Sequence, residues 1–207
     1  MTAHRLTSEA DLAALYPQPS ALVIAKAIDH LDVHCRSFLA LSPFMTLGTQ
    51  SADGKGDVSP RGDKPGFALV LDDRTLAVPD RPGNNRLDSL RNIVANPAVG
   101  LLFLIPGVEE MLRVNGNAHL STDPDLLARM AVDGKPPRCA IVVELGEAYL
   151  HCAKAVKRSR LWDKEAQVER GVLPSLAKMV IEQAKRPGEE AIALEERLKT
   201  TYATTLY

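Results

Sequence analysis

From Phe44 to Val78 the chain runs in short apolar or alternating stretches broken by Asp-Gly, Lys-Gly, Pro-Gly and Asp-Asp-Arg turns, a rhythm that predicts hairpins. Strands are expected near Phe44–Gln50, Asp57–Ser59, Phe67–Leu71 and Thr75–Val78. Further on, Ala98–Ile105 reads as a strand buried on both faces, while Glu110–Leu120 and Cys139–Cys152 alternate like strands with one covered face. The spacing changes to helical at Asn85–Ala95, where Leu87, Leu90 and Ile93 share a side, and again at Asp123–Met130, with Ser121 or Thr122 as its cap.

Both ends of the chain read as helix. Ser8 caps a short helix through Leu15, Pro17 and Pro19 break it, and Leu22–Leu41 carries apolar residues at mixed three- and four-residue steps. The tail is helical from Val172, with Pro174 in its first turn, a break at Arg186-Pro187-Gly188 and a second helix from Glu189 to about Thr201. The expected class is α+β, mainly β. Its centre is a six- to seven-stranded, mostly antiparallel sheet of barrel-like closure, because single helices and hairpins replace the regular crossovers of a doubly wound fold. One domain is expected over 1–207, divided into an N-terminal helical flank (1–42), the barrel (43–162) and C-terminal helices (163–207).

Composition narrows the function. A formal charge of −1 leaves no general basic field for nucleic acid or an anionic membrane, so any anion site must be a local cluster. The opening MTAHRLTSEADL lacks the apolar centre of a signal peptide, and a cytoplasmic location is expected. Three cysteines, Cys35, Cys139 and Cys152, suit a reducing compartment better than a disulfide framework. A metal set of His119, Cys139, His151 and Cys152 is disfavoured, since the last two are strand neighbours that point to opposite faces. Nucleophile elbows, zinc-hydrolase helices, Gly-Lys-Ser phosphate loops and dinucleotide glycine fingerprints are missing from the sequence.

The chemistry concentrates in PDRPGNNRLDSLRNI, Pro79–Ile93. Arg81, Asn84, Asn85 and Arg86 cluster where a turn opens into an amphipathic helix, and Asn85 is expected as its cap. The free N–H groups of a first helical turn, the positive end of the helix dipole and a forked guanidinium together suit a phosphate. Arg61 and Lys64 lie on the turn before the strand at Phe67 and either reach the same anion or simply expose charge at a hairpin tip. Lys157, Arg158, Arg160 and Trp162 combine cations with the single tryptophan, which suits a phosphate clamp with a stacking surface or, equally, a solvated basic loop anchored by Trp162.

The order of these motifs resembles the FMN-binding split-barrel proteins related to pyridoxamine 5′-phosphate oxidase. The resemblance spans roughly Pro43 to Trp162 and rests on SPRGDKPGF (Ser59–Phe67), the Pro79–Ile93 stretch, Asn96-Pro97, MLRVNGNAHL (Met111–Leu120) and HCAKAVKRSRLW (His151–Trp162). It implies FMN as cofactor, with F420 or haem as alternatives, and a homodimer with its sites between subunits. It also implies backbone contact with the flavin at Phe67, Ala68, Val78 and Pro79, and phosphate contact at Asn85 and Arg86. Arg113 corresponds to the arginine of the family's Gln-Val-Arg strand, although Met111 stands where the glutamine would be. Trp162 is followed by Asp163 rather than by the arginine of the oxidase's own substrate motif, so pyridoxal phosphate synthesis is not implied. The activity expected from the resemblance is an FMN-dependent oxidoreductase acting on a small molecule, or else a non-enzymatic flavin or haem carrier or sensor.

Overall fold

The structure is a computed structural model that describes residues 4–185 and 190–207. The tail break at Arg186-Pro187-Gly188 and the helix start at Glu189 lie outside the described residues. Seven strands form one sheet in the order β2-β1-β5-β6-β7-β4-β3, and every neighbouring pair is antiparallel. They are β1 (Phe44–Gln50), β2 (Gly56–Gly62), β3 (Leu69–Val70), β4 (Thr75–Pro79), β5 (Ala98–Leu104), β6 (Met111–Ser121) and β7 (Ala140–His151).

Alternation decides which side of the sheet is covered. Met45 and Leu47 of β1, Val99, Leu101 and Phe103 of β5, and Leu112 and Val114 of β6 all turn inward, where they join Leu76, Val78, Ile141 and Val143 in one buried cluster. Burying each large member contributes about 1.5–3 kcal/mol. Helix α3 (Val33–Leu41) caps this cluster with Cys35, Phe38 and Leu39, and α4 (Asp88–Ala95) adds Ile93. The other face of β4 and β7 presents Ala77, Ala140 and Val142 to Leu126 and Met130, which come from and just beyond α5 (Pro124–Arg129). At the Asn115/Gly116 bulge a side chain at 116 would lie 2.0 Å from the Glu144 carbonyl oxygen, so only glycine lets β6 and β7 approach this closely.

Closure of the barrel is electrostatic rather than laddered. Edge strand β2 meets the far end of β4 through Arg61 Nη1 and Asp80 Oδ1 at 2.5 Å, and Arg81 Nε reaches Asp63 Oδ2 at 2.6 Å. Edge strand β2 is thus tied to the end of β4, one strand in from the short edge strand β3, by side chains, and among the described residues no ladder pairs β2 with β4 or β3. Tyr207 seals the second pair, its Oη donating to Asp63 Oδ1 at 2.7 Å and its ring lying 5.5 Å from the Arg81 guanidinium.

Several expected boundaries move, each for a local reason. The stretch Leu22–Leu41 is two helices, α2 (Ala21–Ala25) and α3, because Ile28 leaves the helix to bridge Ala148 of β7 and Asp32 recaps the chain on the Cys35 N–H. Strand β2 runs on to Gly62 through Pro60, which the edge position tolerates since no ladder bond is lost. Strand β3 keeps only Leu69–Val70 of the expected Phe67–Leu71. Strand β5 is buried on one face, with Gly100, Leu102 and Leu104 only half covered on the other. Asp123, not Ser121 or Thr122, caps α5, with Pro124 in its first turn. In the tail, Ser175 caps α7 (Leu176–Gln183), so Pro174 precedes the helix, and α8 (Ala191–Thr204) extends past Thr201.

Candidate functional site

The turn between β4 and α4 is anchored at its base and open at its tip. Arg81 fixes the base through Asp63 and through Nη2, which donates to the Met130 carbonyl at 2.9 Å. At the tip, Asn84 Oδ1 accepts the Arg86 N–H at 3.1 Å, and both Asn85 and Leu87 take positive φ, 57° and 61°. Asparagine visits that region readily; for Leu87 it costs roughly 1–3 kcal/mol. These two reversals delay the helix to Asp88, three residues later than expected, and make Leu87 rather than Asn85 the capping position.

Leucine has no side-chain acceptor, so the first-turn N–H groups of α4 have no side-chain cap, whereas α1 (Glu9–Leu15), α2, α3, α5 and α7 are closed by Ser8, Ser20, Asp32, Asp123 and Ser175. Arg86 Nε donates to Asp88 Oδ2 at 2.8 Å, and this carboxylate holds the exposed guanidinium still more firmly in its charged form. Among the described residues, the terminal nitrogens of Arg86 make no protein hydrogen bond. The result is a helix start whose donors and positive dipole end face solvent beside a forked cation.

A buried polar strip seats this helix start on the barrel. Ser89 Oγ lies 2.8 Å from Asp57 Oδ2 and 3.0 Å from Ser59 Oγ; its single proton goes to the carboxylate, and Ser59 donates to it. Asn92 Nδ2 donates to Thr49 Oγ1 at 3.0 Å, and Thr49 in turn approaches Asp57 Oδ2 at 3.3 Å. Asp57, Ser59 and Arg61 alternate along one face of β2, so Arg61 continues the strip from Ser59 to Asp80. Nε of Arg61 is buried and has no hydrogen-bond partner, an unusual state for a charged donor.

The structure therefore gathers Arg61, Asn84, Asn85 and Arg86 around the β4–α4 turn. Phe67, Ala68 and Val78 are buried in the main core, and Pro79 closes β4, where Val78 and Pro79 pair with Ile141 and Ala140 of β7. Lys64 is exposed, with its N–H bonded to Asp63 Oδ1. The other expected residues lie elsewhere in the chain. Arg113 stands on the outer face of β6, where its Nε reaches Asn115 Oδ1 at 3.3 Å. The basic stretch forms a short helix, α6 (Lys154–Ser159), beside the β5–β6 turn: Lys157 pairs with Glu109 at 2.5 Å and Trp162 Nε1 donates to the Val108 carbonyl at 2.8 Å. Arg158 is exposed on that helix. Among the described residues, no hydrogen bond or ion pair joins Lys157, Arg158 or Trp162 to the Asn84–Arg86 turn, and no cluster of three metal-ligating side chains forms. Sequence reading missed Ser59, Asp80 and Ser89; the two-residue alternation of Asp57, Ser59 and Arg61 was the available signal for the first.

Residues 31–152 match the family model described as pyridoxamine 5′-phosphate oxidase. The chain belongs to this family. The match runs from α3 to the end of β7 and so covers the barrel and the β4–α4 turn, while α6 and the 157–162 stretch fall beyond it. Solved structures similar to this chain include HupZ of Group A Streptococcus, at 14% identity over 56% of this chain and 90% of that one (TM-score 0.46). An FMN-binding protein from Syntrophomonas wolfei is 12% identical over 56% of this chain and 83% of that one (TM-score 0.46), and an F420 reductase is 23% identical over 55% and 94% (TM-score 0.40). No curated protein matches the chain. As in other members of the pyridoxamine 5′-phosphate oxidase family, the strands lie in a split barrel with helices on its flanks, and no described helix is long and apolar enough to cross a membrane.

Proposed function

We propose that this pyridoxamine 5′-phosphate oxidase family member binds FMN and works as a flavin-dependent oxidoreductase on a small organic molecule. The observation that carries the reading is the open start of α4, where uncapped N–H groups and the free fork of Arg86 present a complete set of donors to a dianion. The residues fit the cofactor: Arg86, Asn84 and Asn85 hold the phosphate, and the unpartnered Nε of Arg61 is a further donor for the phosphate or the ribityl chain. Backbone at Phe67, Ala68, Val78 and Pro79 would supply the contacts to the flavin ring. When bound, flavin supplies the hydride or electron chemistry, so the chain's own tasks are to bind, orient and bias it.

In the same reading the active form is a homodimer located in the cytoplasm. Arg113 and the group Lys157, Arg158 and Trp162 do not converge on the β4–α4 turn of their own chain, which supports their completing the site of a second copy. Lys64, exposed just after β2 with its N–H on Asp63, is assigned to the phosphate in the same reading. Protein purified with added FMN is expected to be yellow, to elute as a dimer, and to release a compound with the mass of FMN on denaturation. Release of F420 or haem would replace the cofactor assignment, and colourless protein without flavin binding on titration would overturn the reading. Turnover with a panel of reductants and acceptors separates an enzyme from a flavin carrier, which would be reduced once and stop.

A further inference from the structure

One carboxylate ties three segments of the chain together at the base of the β4–α4 turn. Asp63, just past the end of β2, accepts Arg81 Nε at 2.6 Å through Oδ2, and through Oδ1 it accepts the Lys64 N–H and the Tyr207 hydroxyl, each at 2.7 Å. Its side chain is only 2% exposed. The Tyr207 ring lies 5.5 Å from the Arg81 guanidinium, which carries the support onward by donating from Nη2 to the Met130 carbonyl at 2.9 Å. Tyr207 therefore touches both members of the ion pair that anchors the turn carrying Asn84, Asn85 and Arg86. A charge-assisted bond to a buried carboxylate is among the stronger contacts a tyrosine can make.

The segment that delivers this tyrosine has little else to hold it. None of the 14 residues of α8 is buried, and α7 before it buries only Ala177. Among the described residues, the hydrogen bonds and ion pairs that run from 190–207 to the body of the protein are made by Tyr207 alone: its hydroxyl to Asp63, and its backbone oxygen to Lys135 Nζ at 3.5 Å. A helix of this length without a buried residue is marginal in water, so its order depends on where its ends are fixed. The contact that fixes α8 also fixes the turn. Whatever tightens one of them must then favour the other, because coupling between two sites is reciprocal.

We propose that Tyr207 is a positioning residue for the anion site at the β4–α4 turn, acting through Asp63 and Arg81 and coupling the order of α8 to occupation of that site. The inference rests on the reading of this turn as an anion site and deepens it. Its test is hydrogen–deuterium exchange of the full chain for the wild type, Tyr207→Ala and Tyr207→Phe, without ligand, with FMN and with inorganic phosphate, alongside titration of FMN. Without ligand, Tyr207→Ala is expected to speed exchange at 80–88 and in α8 while leaving β5 and β6 unchanged. Bound FMN is expected to slow exchange in α8 of the wild type but not of Tyr207→Ala, whose FMN affinity falls several-fold. Tyr207→Phe keeps the ring on Arg81 and is expected to lose less. Unchanged exchange at 80–88 in Tyr207→Ala would overturn the proposal, as would an increase spread evenly over the sheet or an α8 that exchanges alike with and without either anion. Slowing of α8 by phosphate in a wild type that does not bind FMN would remove the flavin reading and keep this one.

Discussion

Arginines at the seam of the barrel and arginines on its rim are held in opposite ways. Arg61 and Arg81 have side chains only 17% and 15% exposed, and each lies against an aspartate. Arg86 and Arg113 are exposed; one pairs with the aspartate two residues on, and the other meets an asparagine and the Tyr149 ring. The difference follows from solvation. A cation removed from water must be matched inside the protein, so the seam arginines act as structural staples, whereas the rim arginines stay hydrated and, among the described residues, their terminal nitrogens make no protein hydrogen bond. Arg61 belongs to both groups, since Nη1 is matched while Nε is buried and unmatched.

The largest expected effect comes from breaking the seam. Asp80→Ala leaves the Arg61 charge buried without its partner and is expected to lower stability by about 3–5 kcal/mol in urea unfolding. Replacing both partners with apolar residues, Arg61→Met with Asp80→Leu, is expected to restore most of that loss; equal losses in the single and double variants would mean that burial is not the reason for the pairing. On the rim, Arg86→Ala leaves the urea midpoint unchanged but weakens FMN binding about tenfold or more, as for loss of a charge-assisted hydrogen bond.

Acid probes the seam more gently. Burial pushes the Asp63 carboxyl up, but hydrogen bonds from Tyr207 Oη, the Lys64 N–H and Arg81 outweigh it and hold the group below its ordinary 3.8. A depressed folded-state value means that Asp63 contributes stability above pH 3.8 and that this contribution is lost as pH falls through the lower folded value. Stability measured against pH is therefore expected to fall less steeply in acid for Asp63→Asn, in a protein less stable at neutral pH. Tyr207→Phe removes one bond to that carboxylate and is expected to cost about 1 kcal/mol. The smallest effect is on the strained residue before α4: Leu87→Gly relieves its positive φ and is expected to stabilise the protein by up to about 1 kcal/mol.

Much of the fold was legible because alternation is local information. The inward residues of β1, β6 and β7 could be read off the two-residue period, while β5, an unbroken apolar run, was read as covered on both faces; Ser8 was readable as a cap because serine accepts a backbone N–H wherever a helix starts. What escaped was set by partners distant in sequence. Asp80 lies nineteen positions from Arg61, and nothing near either residue announces their pairing. The same limit explains the split of Leu22–Leu41, where the bridge from Ile28 to Ala148 outweighs a helical pattern. At the candidate site, the Asn84–Arg86 cluster was visible from composition, but its placement was not. Asn85 has the chemistry of a cap, yet the left-handed turn hands that position to Leu87, and it is this substitution of an apolar residue at the cap that leaves the helix start open.

The most direct test of this account is titration of purified wild-type protein and Arg86→Ala with FMN, followed by quenching of flavin fluorescence. The account predicts saturable binding to the wild type and an affinity about tenfold or more weaker in the variant. Absence of quenching in the wild type, or equal affinity in the two proteins, would contradict a flavin phosphate at the start of α4.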